Sequence, residues 1–272
     1  MPSKSTVRAI YRCLLRDARE LQCMPYFNIR RELQKEQWGT GNYVEPMTIH
    51  EQQELQELSR MGPKMIKSLK EFQRLRDNAF RMGSISVDLI KCIQVAFREN
   101  MHLSDPKIVS VKLDESIEAL SELSDQLLLA QCSTVTVTDG VRIEATSMYL
   151  QSHSNPSSNT YRFTYRVTIT NQNEKCSIQI LGRQYTFESE KGQRIALKRN
   201  SPGIVGATPL LAPGQIFEYA SGVDIDAPRG SVTGCLHALR KSKNAEGKDH
   251  EELFDALVSR FALLAPPTRT ER

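Results

Sequence analysis

Four arginines near the start of the chain are the residues whose spacing points most directly to chemistry. They are Arg8, Arg12, Arg16 and Arg19. At intervals of four, four and three residues they fall on one stripe of an α-helix. Such a stripe is ordinarily a solvated face, but Asp17 and Glu20 are the only nearby acids, so most of its charge is not neutralised within the helix. An uncompensated stripe of this kind attracts acidic partners.

The cysteines and histidines form no recognisable catalytic or metal-binding pattern. None of the six cysteines is in a C-x-x-C pair or has a second ligand at zinc spacing, so we interpret them as free thiols in a reducing compartment. His153 and His237 have no serine, cysteine or metal partner that the sequence can place. The sequence therefore predicts a protein that is not an enzyme and holds neither a metal nor a cofactor of its own.

The charge balance limits the kind of partner. The net charge of +4 over 272 residues is too small for bulk nucleic-acid binding, so we expect contact with nucleic acid only indirectly or through a ribosome. Residues 1–85 carry 15 basic against 10 acidic residues, and residues 86–131 carry 4 against 8. No stretch approaches the roughly 20 apolar residues of a membrane span. The first helix is basic and amphipathic, and we expect it to be able to act as an uncleaved import signal.

Helical periodicity dominates the first half of the chain. Apolar residues recur at helical spacing from about Thr6 to Gln22, from Ser86 to Asn100, and again up to Ala130. Ser104-Asp105-Pro106 is a strong start for the last of these helices, because a capping side chain precedes a proline. Residues 24–84 are mixed, with helices predicted over Asn28–Gln37, after Thr48, and over Lys64–Arg81.

From Cys132 the apolar period changes to two. Thr134 to Thr138 alternates, Asp139-Gly140 is a hairpin signal, and further short strand-like runs continue to His237. Regular short strands of this kind predict a β-sandwich. We predict a polar linker from Arg240 to Lys248. We predict a final amphipathic helix over Asp249–Leu264, followed by a loose tail.

The first half resembles the LYR family of small mitochondrial three-helix proteins. The family triplet Leu-Tyr-Arg is Ile10-Tyr11-Arg12 here, and the family phenylalanine of the second helix matches Phe97 within Ala-Phe-Arg-Glu-Asn. Ser104-Asp105-Pro106 matches the turn before the third helix. The resemblance covers residues 5–131 and is interrupted by an insertion over 24–84.

This resemblance implies that the protein holds an acylated acyl carrier protein. The carrier's acyl-phosphopantetheine arm would enter between the helices, where an acyl chain adds about 0.8 kcal/mol per buried CH₂. Ile10 and Phe97 would line that tunnel, and Arg12, Arg16 and Arg98 would face acidic groups or the phosphate. The acyl-carrier site that we predict consists of Ile10, Tyr11, Arg12, Leu14, Arg16, Phe97 and Arg98.

The second half resembles an ApaG domain, a fibronectin-III-like β-sandwich. The pieces that carry the resemblance occur in family order: Ser147-Met148-Tyr149-Leu150, Tyr161 to Tyr165, Leu181-Gly182-Arg183, Gly203-Ile204-Val205-Gly206, Pro209 to Gly214, and Tyr219-Ala220-Ser221-Gly222. The family's glycine loop makes Gly203 and Gly206 candidates for anion binding. Ser201 replaces its first glycine and Pro202 removes a backbone donor, so we favour a tight structural turn.

Together these observations predict an α+β protein with a helical domain over 5–131, a sandwich over 133–238, and a linker, helix and tail over 239–272. The resemblances imply an adaptor in the mitochondrial matrix that binds acylated acyl carrier protein. It would dock through its ApaG domain and the insertion onto a large assembly, as an assembly factor or subunit of the mitochondrial ribosome or a respiratory complex. An accessory factor of the cysteine-desulfurase machinery for iron–sulfur clusters remains an alternative. A third hypothesis is an ApaG protein that binds a phosphate-containing ligand.

Overall fold

Three helices and ten strands make up the part of the chain that the structure describes. This computed structural model describes residues 4–24, 43–48, 89–199, 203–204, 206–243 and 249–266, with the backbone alone for 43–48. The helices are α1 (Lys4–Cys23), α2 (Leu89–Glu99) and α3 (Pro106–Gln131). The strands are β1 (Tyr43–Thr48), β2 (Ser133–Thr138), β3 (Val141–Tyr149), β4 (Tyr161–Asn171), β5 (Ser177–Ser189), β6 (Arg194–Leu197), β7 (Leu210–Leu211), β8 (Gln215–Ile225), β9 (Arg229–Lys243) and β10 (Asp249–Leu264). The α+β class, with helices followed by two antiparallel sheets, is confirmed.

The helices pack around one apolar cluster. Its buried members are Leu14, Leu15, Ala18, Leu21, Leu89, Ile93 and Leu123. These positions lie on the apolar faces that the helical period predicts. At the start of α3, Asp105 Oδ1 accepts a hydrogen bond from the Lys107 N–H at 2.9 Å, so this carboxylate satisfies one of the unpaired donors of the first turn. None of the described helices is long and apolar enough to cross a membrane.

Two antiparallel sheets form the sandwich. The first has the strand order β1-β8-β4-β3-β2, and the second has the order β10-β9-β5-β6, with β7 paired to β5. The largest fully buried side chains of the core are aromatic: Phe163, Tyr165, Tyr185, Phe217, Tyr219 and Phe261. Threonines of β2 also bond the backbone of β10, since Thr138 Oγ1 accepts the Leu257 N–H and Thr136 Oγ1 accepts the Ser259 N–H, both at 3.1 Å. These bonds cover the edge of β10, which is otherwise open to pairing with another chain.

The prediction of a terminal helix over Asp249–Leu264 is wrong, because this segment is strand β10. It pairs with β9 from Asp249 opposite Lys243 to Leu264 opposite Arg229, with one interruption between Val258 and Phe261. The predicted linker after Arg240 is therefore shorter, since β9 continues to Lys243. The register shifts between Val258 and Phe261. Because of this irregularity, the spacing of the apolar residues along the strand resembles that of a helix.

The predicted insertion over 24–84 is not purely helical, because it contains β1. This strand pairs antiparallel with the outer edge of β8, with Tyr43 opposite Tyr219 and Thr48 opposite Gln215. The register shifts between Val44 and Met47, so the region around Pro46 is irregular, which is where an edge strand accommodates a proline. The helices predicted over Asn28–Gln37, after Thr48 and over Lys64–Arg81 lie outside the described residues. The strand β1 belongs to the same compact unit as the sandwich, and the three helices belong to the other.

Candidate functional site

Two aromatic rings bring the separate parts of the predicted acyl-carrier site together. The ring of Tyr11 on α1 lies 4.7 Å from the ring of Phe97 on α2, measured between centroids, with the two planes inclined at 49°. Tilted pairs at this distance contribute about 0.5–1.5 kcal/mol beyond their buried area. Ile10 packs beside them against the helical cluster, and all three side chains are half-buried, whereas Leu14 is 3% exposed and belongs to the core. A half-buried aromatic pair at the margin of a core offers apolar surface to a partner.

Two of the predicted arginines flank this pair, and a third is partly engaged. Arg12 and Arg98 are exposed and are the sequence neighbours of Tyr11 and Phe97. Arg16 is also exposed, at 70%, but its Nε donates to the buried Asp17 carboxylate at 2.9 Å. The Asp17 carboxylate also accepts from Ser124 Oγ on α3 at 3.3 Å, so it links two helices. We call Ile10, Tyr11, Arg12, Phe97 and Arg98 the α1–α2 patch.

Exposed apolar side chains continue beyond the α1–α2 patch. Met101 and Leu103 follow α2 and are 66% and 37% exposed. A shallow depression of about 480 Å³ lies on α3, and its lining is partly acidic: Val111, Asp114, Glu115, Ile117, Glu118 and Ser121. This depression does not include the residues that were predicted to line an acyl tunnel, and its acidic groups would repel an acidic carrier.

The glycine loop of the sandwich uses its backbone groups internally. The Gly203 N–H donates to the Leu181 carbonyl at 2.9 Å, and Ile204 and Ala207 exchange two backbone hydrogen bonds at 2.7 and 2.9 Å. Gly203 has a φ of 71°, and a Cβ there would lie 2.7 Å from the Ala207 carbonyl oxygen, so this position requires glycine. Gly206 also has a positive φ, of 84°. This geometry is that of a tight turn.

A cation lies among tyrosines inside the sandwich. The Arg183 guanidinium is 5.3 Å from the centroid of the Tyr219 ring, and its Nη1 is buried without a hydrogen-bond partner in the described part of the chain. The hydroxyls of Tyr219 and Tyr185 are hydrogen-bonded to each other. Burial raises the pKa of Tyr165, Tyr185 and Tyr219, because the ionised phenolate loses its hydration there. The Arg183 cation opposes that rise.

Sequence reasoning missed a polar cluster on the second sheet. His237 Nδ1 lies 2.7 Å from Asp255 Oδ1, and Arg199 Nη2 lies 3.1 Å from the same oxygen. Cys235 is close by, and the sulfur, one imidazole nitrogen and one carboxylate oxygen all lie within 4.8 Å of one another. Burial raises the pKa of the Cys235 thiol; Asp255 adds to the rise and Arg199 opposes it. Sequence analysis gives His237 no partner, because it predicts a helix for the segment that contains Asp255. One pattern could have revealed part of the cluster: Cys235 and His237 are two residues apart, so their side chains share one face of a strand.

Comparison with known proteins identifies the sandwich. The ApaG domain family matches residues 151–240. The Protein ApaG of Mesorhizobium japonicum is 32% identical over 133 residues, which cover 49% of this chain and 94% of that protein. The chain belongs to the ApaG family. The Protein ApaG of Escherichia coli O1:K1 is 35% identical over 94 residues, which cover 35% of this chain and 73% of that protein.

A crystal structure of a putative ApaA protein from Bordetella pertussis is 29% identical and covers 50% of this chain and 97% of that one, with a TM-score of 0.38. The ApaG match begins at residue 151, after α3 has ended at Gln131, so the three α-helices stand outside it. The expected ApaG domain is therefore confirmed, and β10 belongs to its core through Ala256, Val258, Phe261 and Leu263.

Proposed function

We propose that this protein is an adaptor of the mitochondrial matrix. Its α1–α2 patch binds acylated acyl carrier protein, and its ApaG domain docks onto a large assembly, the mitochondrial ribosome or a respiratory complex. The protein performs no turnover of its own. The cofactor in this proposal is the acyl-phosphopantetheine arm of the carrier protein.

The contact between Tyr11 and Phe97 is the observation that supports carrier binding best. It places two widely separated parts of the LYR resemblance side by side, at 4.7 Å, on adjoining helices. Arg12 and Arg98 are exposed and are the sequence neighbours of the two aromatic residues, so positive charge lies near an apolar surface. An acidic carrier with an apolar prosthetic arm matches both properties, because charge speeds encounter and apolar contact holds the complex.

The test is titration of the full-length protein with acyl carrier protein. The acylated carrier is expected to bind, and a carrier whose modified serine is replaced by alanine is expected to bind much more weakly, because it lacks the arm. The association rate of the wild type should fall steeply with added salt. Undiminished binding of the unmodified carrier would refute insertion of an acyl arm.

Two sets of variants assign the binding to the α1–α2 patch. Arg12→Glu combined with Arg98→Glu should slow association by about tenfold or more, since steering by charge has that magnitude. Lys107→Glu combined with Lys112→Glu is the matched control, because it makes the same charge change at two exposed positions on another helix. If the double variant and the control behave alike, the arginines of the patch are ordinary surface.

The ApaG domain offers an apolar surface for docking onto the assembly. On β10, Leu253 is 71% exposed and Leu257 is 55% exposed, and they share one face of the strand with Asp255 between them. Large apolar side chains exposed together commonly mark an interaction surface. We assign the contact with the large assembly to this face.

Affinity purification of the full-length protein from mitochondria tests the docking. Leu253→Glu with Leu257→Glu should reduce recovery of the assembly and leave recovery of acyl carrier protein unchanged. Val137→Glu on β2 is the control, since Val137 is 54% exposed in the other sheet. Mass spectrometry of the purified material also names the assembly. Recovery of the cysteine desulfurase in place of ribosomal or respiratory proteins would favour the iron–sulfur alternative.

A further inference from the structure

We propose that Cys235, His237 and Asp255 form a binding site for one zinc ion on the outer face of the second sheet. The proposal is independent of carrier binding, because it rests only on groups of β9 and β10. We call these three residues the β9–β10 triad.

The sheet geometry brings the triad together. Leu236 and Ala238 are fully buried in the sandwich, so the alternating side chains of Cys235 and His237 point to the opposite face of β9. Asp255 on β10 stands directly opposite His237 in the ladder. Three chemically different donors therefore converge on one side of a rigid two-strand frame, which holds them better than a loop would.

The donor set fits zinc better than it fits magnesium or calcium. A thiolate, an imidazole and a carboxylate are all zinc ligands, whereas magnesium and calcium prefer oxygen alone. Ligand atoms bound to one tetrahedral zinc at about 2.0–2.3 Å lie roughly 3.5 Å apart. The donor atoms of the triad lie within 4.8 Å of one another, so small side-chain rotations bring them to that spacing.

The burial of the triad limits how an ion can reach it. His237 is only 8% exposed, so packing holds its ring in place. The Asp255 side chain is 39% exposed, which leaves a route for the ion and a position for a solvent ligand.

Arg199 is the competitor for this site. Its guanidinium contacts Asp255 Oδ1 at 3.1 Å and is 62% exposed, so it can turn away into solvent when a metal arrives. Because a neighbouring cation repels a divalent ion, removal of Arg199 should increase zinc affinity. A plain network of Arg199, Asp255 and His237 without a metal role makes no such prediction.

Cobalt serves as the spectroscopic probe in the full-length protein. After chelator treatment, one equivalent of Co²⁺ should produce a thiolate-to-cobalt charge-transfer band, and Zn²⁺ should abolish it by displacement. The Cys235→Ser variant should lack the band, and His237→Asn should weaken zinc binding by at least about tenfold, since even outer-shell partners of a metal site have effects of that size. Arg199→Ala should strengthen zinc binding.

Two control variants change a thiol and an imidazole outside the triad. Cys176→Ser removes a half-buried cysteine outside the triad and should leave the cobalt band intact. His153→Asn should leave zinc affinity unchanged. Absence of the band in the wild type, or an undiminished band in Cys235→Ser, would overturn the proposal. Should Cys235→Ser fail to fold, the Arg199→Ala variant decides, because equal or weaker zinc binding by that variant also contradicts the proposed site.

Discussion

The helical unit and the sandwich present their functional groups in different ways. Within the described residues, the helical cluster has seven buried apolar members and the sandwich cluster has 24. The helical unit places Tyr11 and Phe97 half-buried at the margin of its small core. The sandwich instead holds Cys235, His237 and Asp255 on two strands that pair with each other over most of their length. The first arrangement suits a surface completed by a partner, and the second suits a site of fixed geometry. Four changes test this contrast.

The largest effect should follow from ending the chain at Lys243. This truncation removes β10 and with it the buried Ala256, Val258 and Phe261. We expect the sandwich to lose its cooperative unfolding transition, because the loss opens its core and exposes the next strand edge. Near-ultraviolet circular dichroism during denaturant unfolding measures this, with a chain ending at residue 266 as the control. An unchanged transition would mean that β10 is dispensable.

The second largest effect should follow from shortening one buried side chain of the same strand. Phe261 is 2% exposed and its ring lies 6.2 Å from that of Tyr165, so Phe261→Ala should lower the free energy of unfolding of the sandwich by about 3–5 kcal/mol. Leu253→Ala on the same strand removes an exposed side chain and should change the free energy of unfolding by less than about 0.5 kcal/mol. Equal losses in the two variants would contradict the observed faces of β10.

A matching substitution in the helical unit also shortens one buried side chain and tests whether the two units unfold separately. Leu21 is fully buried on α1, and Leu21→Ala should destabilise the helical unit by about 2–5 kcal/mol. The loss should appear in the helical signal of the far-ultraviolet spectrum and leave the near-ultraviolet signal of the buried sandwich tyrosines in place. Met101→Ala, at a position 66% exposed, is the control and should have little effect. A simultaneous loss of both signals would show that the two units unfold together.

The smallest effect concerns alkaline pH and belongs to the sandwich. An unfolded tyrosine ionises near pH 10, but burial raises the pKa of Tyr185, so the folded hydroxyl keeps its proton. The free energy of unfolding should therefore fall as pH rises above about 10, by up to about 1.4 kcal/mol per pH unit for each such tyrosine. Tyr185→Phe should make this slope shallower, as followed by denaturant unfolding at successive pH values. An identical slope would show that Tyr185 does not contribute to it.

Most of the fold could be predicted from periodicity, and β10 shows where that reasoning fails. Leu253, Leu257 and Phe261 recur every four residues and imitate one face of a helix. The buried residues are instead Ala256 and Val258, and then Phe261 after a shift in register. A bulge of this kind is set by the neighbouring strand, so a local pattern does not reveal it.

The candidate sites were unequally predictable for the same physical reason. The resemblance to LYR proteins directed attention to Tyr11 and Phe97, whose rings are in contact in the structure. The partner of His237 is set by the register between β9 and β10, and no local pattern supplies that register. The carrier, the assembly and the matrix location stay predictions until the experiments above are done.

The strand β1 has a consequence for how the protein is made. As the chain leaves the ribosome, Tyr43 emerges long before Tyr219, its partner on β8, has been synthesised. The described elements α2, α3 and β2 to β7 come between them, so β1 waits unpaired while about two thirds of the chain is synthesised. Contacts between residues so far apart in sequence form slowly. We therefore expect the closing of this sheet edge to be among the last events of folding, and the nascent chain to need protection of that edge until its carboxy-terminal half is complete.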